Sequence, residues 1–103
     1  MSRALITPEA AADLTDIAYF IAQDNPDRAK SFTREIVAHC HRLANTPHAG
    51  RARPELGPGV RSIPHGQYVI FYRLIEAGTE ILHIKRGLKP AFLKIVPREG
   101  MRP

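Results

Sequence analysis

Pro47-His48-Ala49-Gly50-Arg51-Ala52-Arg53-Pro54-Glu55-Leu56-Gly57-Pro58-Gly59-Val60-Arg61-Ser62, followed shortly by Tyr68-Val69-Ile70-Phe71-Tyr72-Arg73, is the stretch that decides the fold. The first part is punctuated by proline, glycine and arginine and reads as a loop across 47–59. The second is apolar at every position but its last. Tyr68, Ile70, Tyr72 and Leu74 take one face of a strand over 68–75, and Val69, Phe71 and Ile75 the other. A strand apolar on both faces belongs inside a sheet, with neighbours on each side. Val60–Pro64 supplies one neighbour, joined through a tight turn at His65-Gly66. Glu76-Ala77-Gly78 turns the chain into the other, Thr79–Lys85, where Ile81 and His83 alternate with Leu82 and Ile84.

Upstream, two helix starts share one grammar. Thr7-Pro8-Glu9 offers a hydroxyl N-cap, a proline whose missing N–H costs nothing at the first turn, and an acid near the positive end of the helix dipole. Asn25-Pro26-Asp27 repeats the device. The helices are expected over about 8–23 and 26–45. Ala10, Leu14, Ile17 and Ile21 stripe the first, with Ala18 and Ala22 beside them; Ala29, Phe32, Ile36, Cys40 and Leu43 stripe the second. The linker Asp24-Asn25 is so short that the pair should form an antiparallel hairpin. Residues 3–6 read as an opening strand. The order β-α-α-β-β-β is that of a two-layer α+β domain, the hairpin laid on a sheet.

Composition narrows the function. One domain is expected for 103 residues. No apolar run approaches the roughly 20 residues of a membrane span, and the apolar stretch near Met1 is too short for a signal peptide. A lone cysteine fits a reducing, cytoplasmic setting. Residues 1–50 carry five Lys/Arg against six Asp/Glu, a net −1, and residues 51–103 carry ten against four, a net +6. A basic half asks for an acidic partner, although no nucleic-acid-reading motif accompanies it. His39-Cys40-His41 cannot chelate one metal from a regular helix, because adjacent residues point about 100° apart; no metal or cofactor is expected.

The Arg/Pro/Gly connector feeding a turn and a doubly apolar strand, after two helices in a chain this short, resembles the ParE branch of the ParE/RelE toxin superfamily. The resemblance covers roughly residues 3–87 of a single domain over 1–103, leaving a basic, apolar tail over 88–103. It implies a two-layer fold whose opening strand joins a mainly antiparallel sheet. It also implies the toxin of a type II toxin–antitoxin pair, of the kind that stabilises plasmids, causing growth arrest by inhibiting DNA gyrase without catalysis of its own. The partner it implies is a cognate antitoxin with an acidic, flexible C-terminal arm, bound in a hetero-oligomer. No membrane contact is expected, nor direct DNA binding without the antitoxin.

Candidates for contacts with antitoxin or target are Tyr19, Phe20, Arg51, Arg53, Arg61, Arg73, Lys85 and Arg86. Tyr19 and Phe20 flank the first helix's stripe, and the simpler expectation is that they widen the buried face. Two other outcomes belong to the same superfamily. A RelE-like, ribosome-dependent messenger RNA endonuclease would draw on Arg61, His65, His83, Lys85 and Arg86, yet no tyrosine follows Tyr72 and the connector has no lysine cluster. A decayed member would bind an antitoxin and poison nothing.

Overall fold

The computed structural model describes residues 3–87. Strand β1 (Arg3–Ile6) is followed by α1 (Pro8–Ala22), α2 (Pro26–Leu43), a two-residue β2 (Arg51–Ala52), a 3-10 turn (Pro54–Leu56), β3 (Val60–His65), β4 (Tyr68–Ile75) and β5 (Gly78–Arg86). The sheet order is β1-β5-β4-β3-β2, with β1 parallel to β5 and every other pairing antiparallel. The doubly apolar β4 lies at the centre, as its pattern requires.

Both helix starts form as read. Thr7 Oγ1 accepts the Ala10 N–H at 3.1 Å and Asn25 Oδ1 accepts the Arg28 N–H at 3.0 Å, with a proline next in each case. His41 and Arg42 fill the last turn of α2, where positive charge meets the negative dipole end. Each helix stops one or two residues before its expected end, and the linker between them is Gln23–Asn25.

One core joins the layers. Ala10 and Ile17 of α1 and Ile36, Cys40 and Leu43 of α2 pack with Tyr68, Ile70, Tyr72, Ile81 and Ile84 of the sheet. Leu14, Ile21, Phe32, Ile63 and Leu74 close its rim. Cys40 sits among these apolar groups, and burial pushes its thiol up to about 11, so it acts as a small hydrophobe.

Three local expectations change. The hairpin loop is Gly66-Gln67, because His65 still pairs with Tyr68; Gly66 has φ +60, which glycine adopts at little cost. The connector carries β2 and the 3-10 turn, so it is ordered against the sheet edge. The third change lies in β5. Phe71 pairs with His83 but Tyr72 with Ile81, so Leu82 is an extra residue in a β-bulge. The bulge resets the alternation: Ile81 and Ile84 both enter the core, and His83 joins Leu82 on the other face. Strict alternation from 79 to 85 had placed Ile81 and His83 together.

Candidate functional site

The helices cover one side of the sheet. On the other side, cross-strand pairing sets out rows: Arg51–Ser62–Phe71–His83, Val60–Arg73–Glu80 and Pro64–Val69–Lys85. Leu56, from the 3-10 turn, leans over their end. Leu56, Val60, Phe71, Leu82, His83 and Lys85 line a mainly apolar cleft of about 310 Å³. Paired rows place Phe71 between Ser62 and His83 on a pleat that no helix covers. The cleft therefore follows from strand register together with one bulge.

Cations border it. Arg51 is exposed. The Arg53 guanidinium donates to Ser62 Oγ at 2.8 Å and lies 3.8 Å from Glu55. Arg73 pairs with Glu80 across β4 and β5. Lys85 Nζ donates to Asp13 at 3.1 Å. Four of the eight candidate contact residues thus share this open face. Arg61 does not: its row, with Tyr72 and Ile81, faces the helices, and it donates to the Gly50 carbonyl at 2.6 Å. Arg86 bonds the Gln67 side chain at 2.9 Å, and its guanidinium lies 5.7 Å above the Phe20 ring. Tyr19 and Phe20 are 72% and 59% exposed, which corrects the expectation that they widen the buried face. The stripe of α1 closes at Ile17 and Ile21, leaving both aromatics outside its arc, with Phe20 exposed beneath the Arg86 guanidinium.

The five groups of the nuclease alternative do not converge. His83 and Lys85 meet at Asp13 on one side of the sheet edge. Arg61 is tied to Gly50, His65 to His39 of α2, and Arg86 to Gln67. No group of three or more His, Cys, Asp or Glu that could hold a metal occurs among the described residues.

Two residues organise this region through contacts that no sequence spacing marks, the Asp13 carboxylate and the Tyr72 hydroxyl. Asp13 falls on the apolar stripe of α1, three residues after Ala10 and four before Ile17, and a carboxylate there needs partners. β1 pairs β5 only as far as Ile81, so the edge of β5 beyond it is bare. Thr7 Oγ1 donates to the Ile81 carbonyl at 2.7 Å, and Asp13 accepts the Ile84 N–H at 2.9 Å. The carboxylate thus caps a strand edge. Burial alone would push its pKa up. The Ile84 N–H, Lys85 and His83 outweigh burial and hold it below the usual 3.8.

Asp13→Ala should cost about 1–3 kcal/mol, since it leaves the Ile84 N–H unpaired. The folded carboxyl is depressed, so its contribution is whole above pH 3.8 and lost as pH falls through the folded value. Urea unfolding of both proteins at pH 7 and pH 3 checks this; the gap between them should shrink in acid.

Tyr72 is the second organiser. It is the largest fully buried side chain among the described residues, and its hydroxyl accepts the Gly50 N–H at 2.8 Å and donates to the Pro47 carbonyl at 2.7 Å. Burial raises its pKa, keeping the phenol protonated for that donation. Gly50 lies so close to the ring that any Cβ would collide with it. This clamp holds the connector, and with it Leu56, over the cleft.

A family model for the ParE toxin of the type II toxin–antitoxin system parDE matches residues 4–89. The chain belongs to the ParE toxin family. Toxin ParE1 of Mycobacterium tuberculosis (strain ATCC 25618 / H37Rv) is 36% identical over 80 residues, which is 76% of this chain and 81% of that protein. A solved chain of the chromosomal ParDE toxin–antitoxin system from P. aeruginosa superposes with a TM-score of 0.70 at 28% identity, covering 84% of this chain and 97% of the other. The RelBE2 toxin–antitoxin complex of Mycobacterium tuberculosis has a chain that matches at a TM-score of 0.62 and 23% identity, over 82% of this chain and 96% of that one; this likeness speaks to the fold alone. The architecture that the resemblance implied, an opening strand joined to a mainly antiparallel sheet in a two-layer fold, holds in the structure. As a ParE toxin, the chain is the toxin of a type II toxin–antitoxin system. The expected basic tail over 88–103 lies outside the described residues.

Proposed function

We propose that this ParE-family toxin arrests growth in the cytoplasm by binding DNA gyrase and blocking it, with no catalytic group of its own. In this reading a cognate antitoxin neutralises it by laying an acidic, flexible arm on the open face of the sheet. The observation that carries the proposal is the pairing of family membership with that face: an apolar cleft framed by Leu56, Val60, Phe71 and Leu82, bordered by Arg51, Arg53, Arg73 and Lys85. An arm that folds on binding gains apolar burial in the cleft and electrostatic steering from the cations around it. The P. aeruginosa relative comes from a ParDE toxin–antitoxin system, which supports an antitoxin partner here. The scattered placement of Arg61, His65, His83, Lys85 and Arg86 favours inhibition by binding over strand cleavage, which needs a base, an acid and cations around one phosphate.

Expression of the chain alone should arrest growth. Co-expression with the gene beside it should restore growth and yield a hetero-oligomer on size exclusion. Reversing Arg51 and Arg73 to Glu should weaken that complex about tenfold or more at 0.1 M salt, and less as salt rises. Normal growth without the neighbouring gene, with no complex formed, would count against the reading.

A further inference from the structure

His39 in the second half of α2 and His65 at the end of β3 meet edge to edge. Their Nδ1 atoms are 2.8 Å apart and their ring centroids 5.0 Å. Two ring nitrogens at this distance bond only if one bears a proton and the other keeps its lone pair. Phe32 stands edge-on to His65 at 5.5 Å and leans on Tyr68 at 5.7 Å, and both imidazoles are half-buried. Two imidazoles with no third ligand do not build a metal site, and no such cluster of three occurs among the described residues. What the pair can hold or lose is a proton.

We propose that the His39–His65 contact is an acid-sensitive latch that fastens the β3–β4 hairpin to α2 and opens when both rings are protonated. In the neutral pair, one ring donates its Nδ1–H and the other accepts through Nδ1. A first proton enters at the donor ring's Nε2. The bond survives it and becomes charge-assisted. A second proton takes the last lone pair, and two N–H groups on two cations then face each other.

Among the described residues, the side chains outside the pair whose charge shifts the two rings, Arg28, Glu35 and Arg42, lie on α2. Burial is the main force holding both imidazoles below the usual 6.5. Arg42 lowers both, Arg28 lowers His65, and Glu35 works against them by raising His65. Arg28 and Glu35 are themselves paired at 2.8 Å, which mutes each of them. On the sheet side, His65 pairs with Tyr68 across the hairpin. Because the folded rings sit below the free value, the unfolded chain takes up protons first as pH falls. The stability contributed by the latch is whole above about pH 6.5 and is lost as pH drops through the folded values.

His65 of the latch sits two residues before Gln67, which ties the hairpin loop to the end of β5. Gln67, in the hairpin loop, accepts the Gly87 N–H at 2.9 Å, and its side chain accepts from Arg86. Opening it loosens the loop to which the end of β5 is tied.

The test uses the full 103-residue chain. Ring titration by NMR should show two coupled steps, both below 6.5, and a hydrogen-bonded ring N–H at pH 7.5 that disappears with the second step. Between pH 7.5 and 5.0 the unfolding equilibrium constant should rise at least about threefold more for the native chain than for the His39→Leu, His65→Leu double variant. The other three histidines are common to both proteins and cancel. If the variant does not fold, the ring titration decides alone. Rings that titrate independently near 6.5, or identical pH dependence in both proteins, would overturn the latch.

Discussion

Replacing Tyr72 with Ala should leave the chain largely unfolded at 37 °C. The ring is fully buried, and removing an aromatic of this kind from a core costs about 3–5 kcal/mol. The hydroxyl adds to that loss, because its removal strands the Gly50 N–H and the Pro47 carbonyl, at about 1–3 kcal/mol for a buried group without a partner. Domains of this size are stable by only about 5–15 kcal/mol. Tyr72→Phe separates the two contributions: it keeps the ring and should lose only the hydroxyl's share. Its distinctive effect should be local, with faster amide exchange across residues 47–56 and weaker binding of any partner that uses the cleft. If Tyr72→Phe melts and exchanges like the native chain, the connector is held by something other than the phenol.

Ile36→Ala is the second large effect. Ile36 is fully buried where α2 meets the sheet and packs within the cluster that includes Ile70 and Tyr72. Truncation should cost about 2–5 kcal/mol, the upper part of the range applying if the surrounding strands cannot close the void. Ile36→Val, which removes one methyl group, should cost about 0.5–1.5 kcal/mol. Urea unfolding of all three proteins measures both. Equal losses for Ala and Val would mean that the helix hairpin is seated loosely on the sheet.

Most of the architecture was legible because it is written in local chemistry. The two Xaa-Pro-acid starts marked the helices to the residue, and the period of Leu14, Ile17, Phe32, Ile36 and Leu43 marked the faces they bury. The doubly apolar β4 announced its central place. What escaped was set by long-range geometry. A bulge at Leu82 leaves no compositional trace in β5, so the facing of His83 and Ile84 could not be read from alternation. The bond from Tyr72 to Gly50 spans 22 positions and that from Asp13 to Ile84 spans 71, and neither follows a spacing rule. Asp13 was still open to inspection, as an acid on an apolar stripe. Of the candidate contact residues, Arg51, Arg53, Arg73 and Lys85 gather on the open face because strand register puts them there, whereas Arg61 has the opposite facing. Tyr19 and Phe20 show how an aromatic pair flanking a stripe can fall either way: the width of the buried arc is decided by the sheet beneath it.

The purified protein added to a gyrase supercoiling reaction tests the central claim most directly, run beside translating ribosomes programmed with a defined messenger RNA. The account predicts that supercoiling is blocked in proportion to the toxin added, that the messenger stays intact, and that His65→Ala and His83→Ala proteins that remain folded block supercoiling nearly as well. Unimpaired supercoiling together with cleavage of the messenger on the ribosome would contradict it.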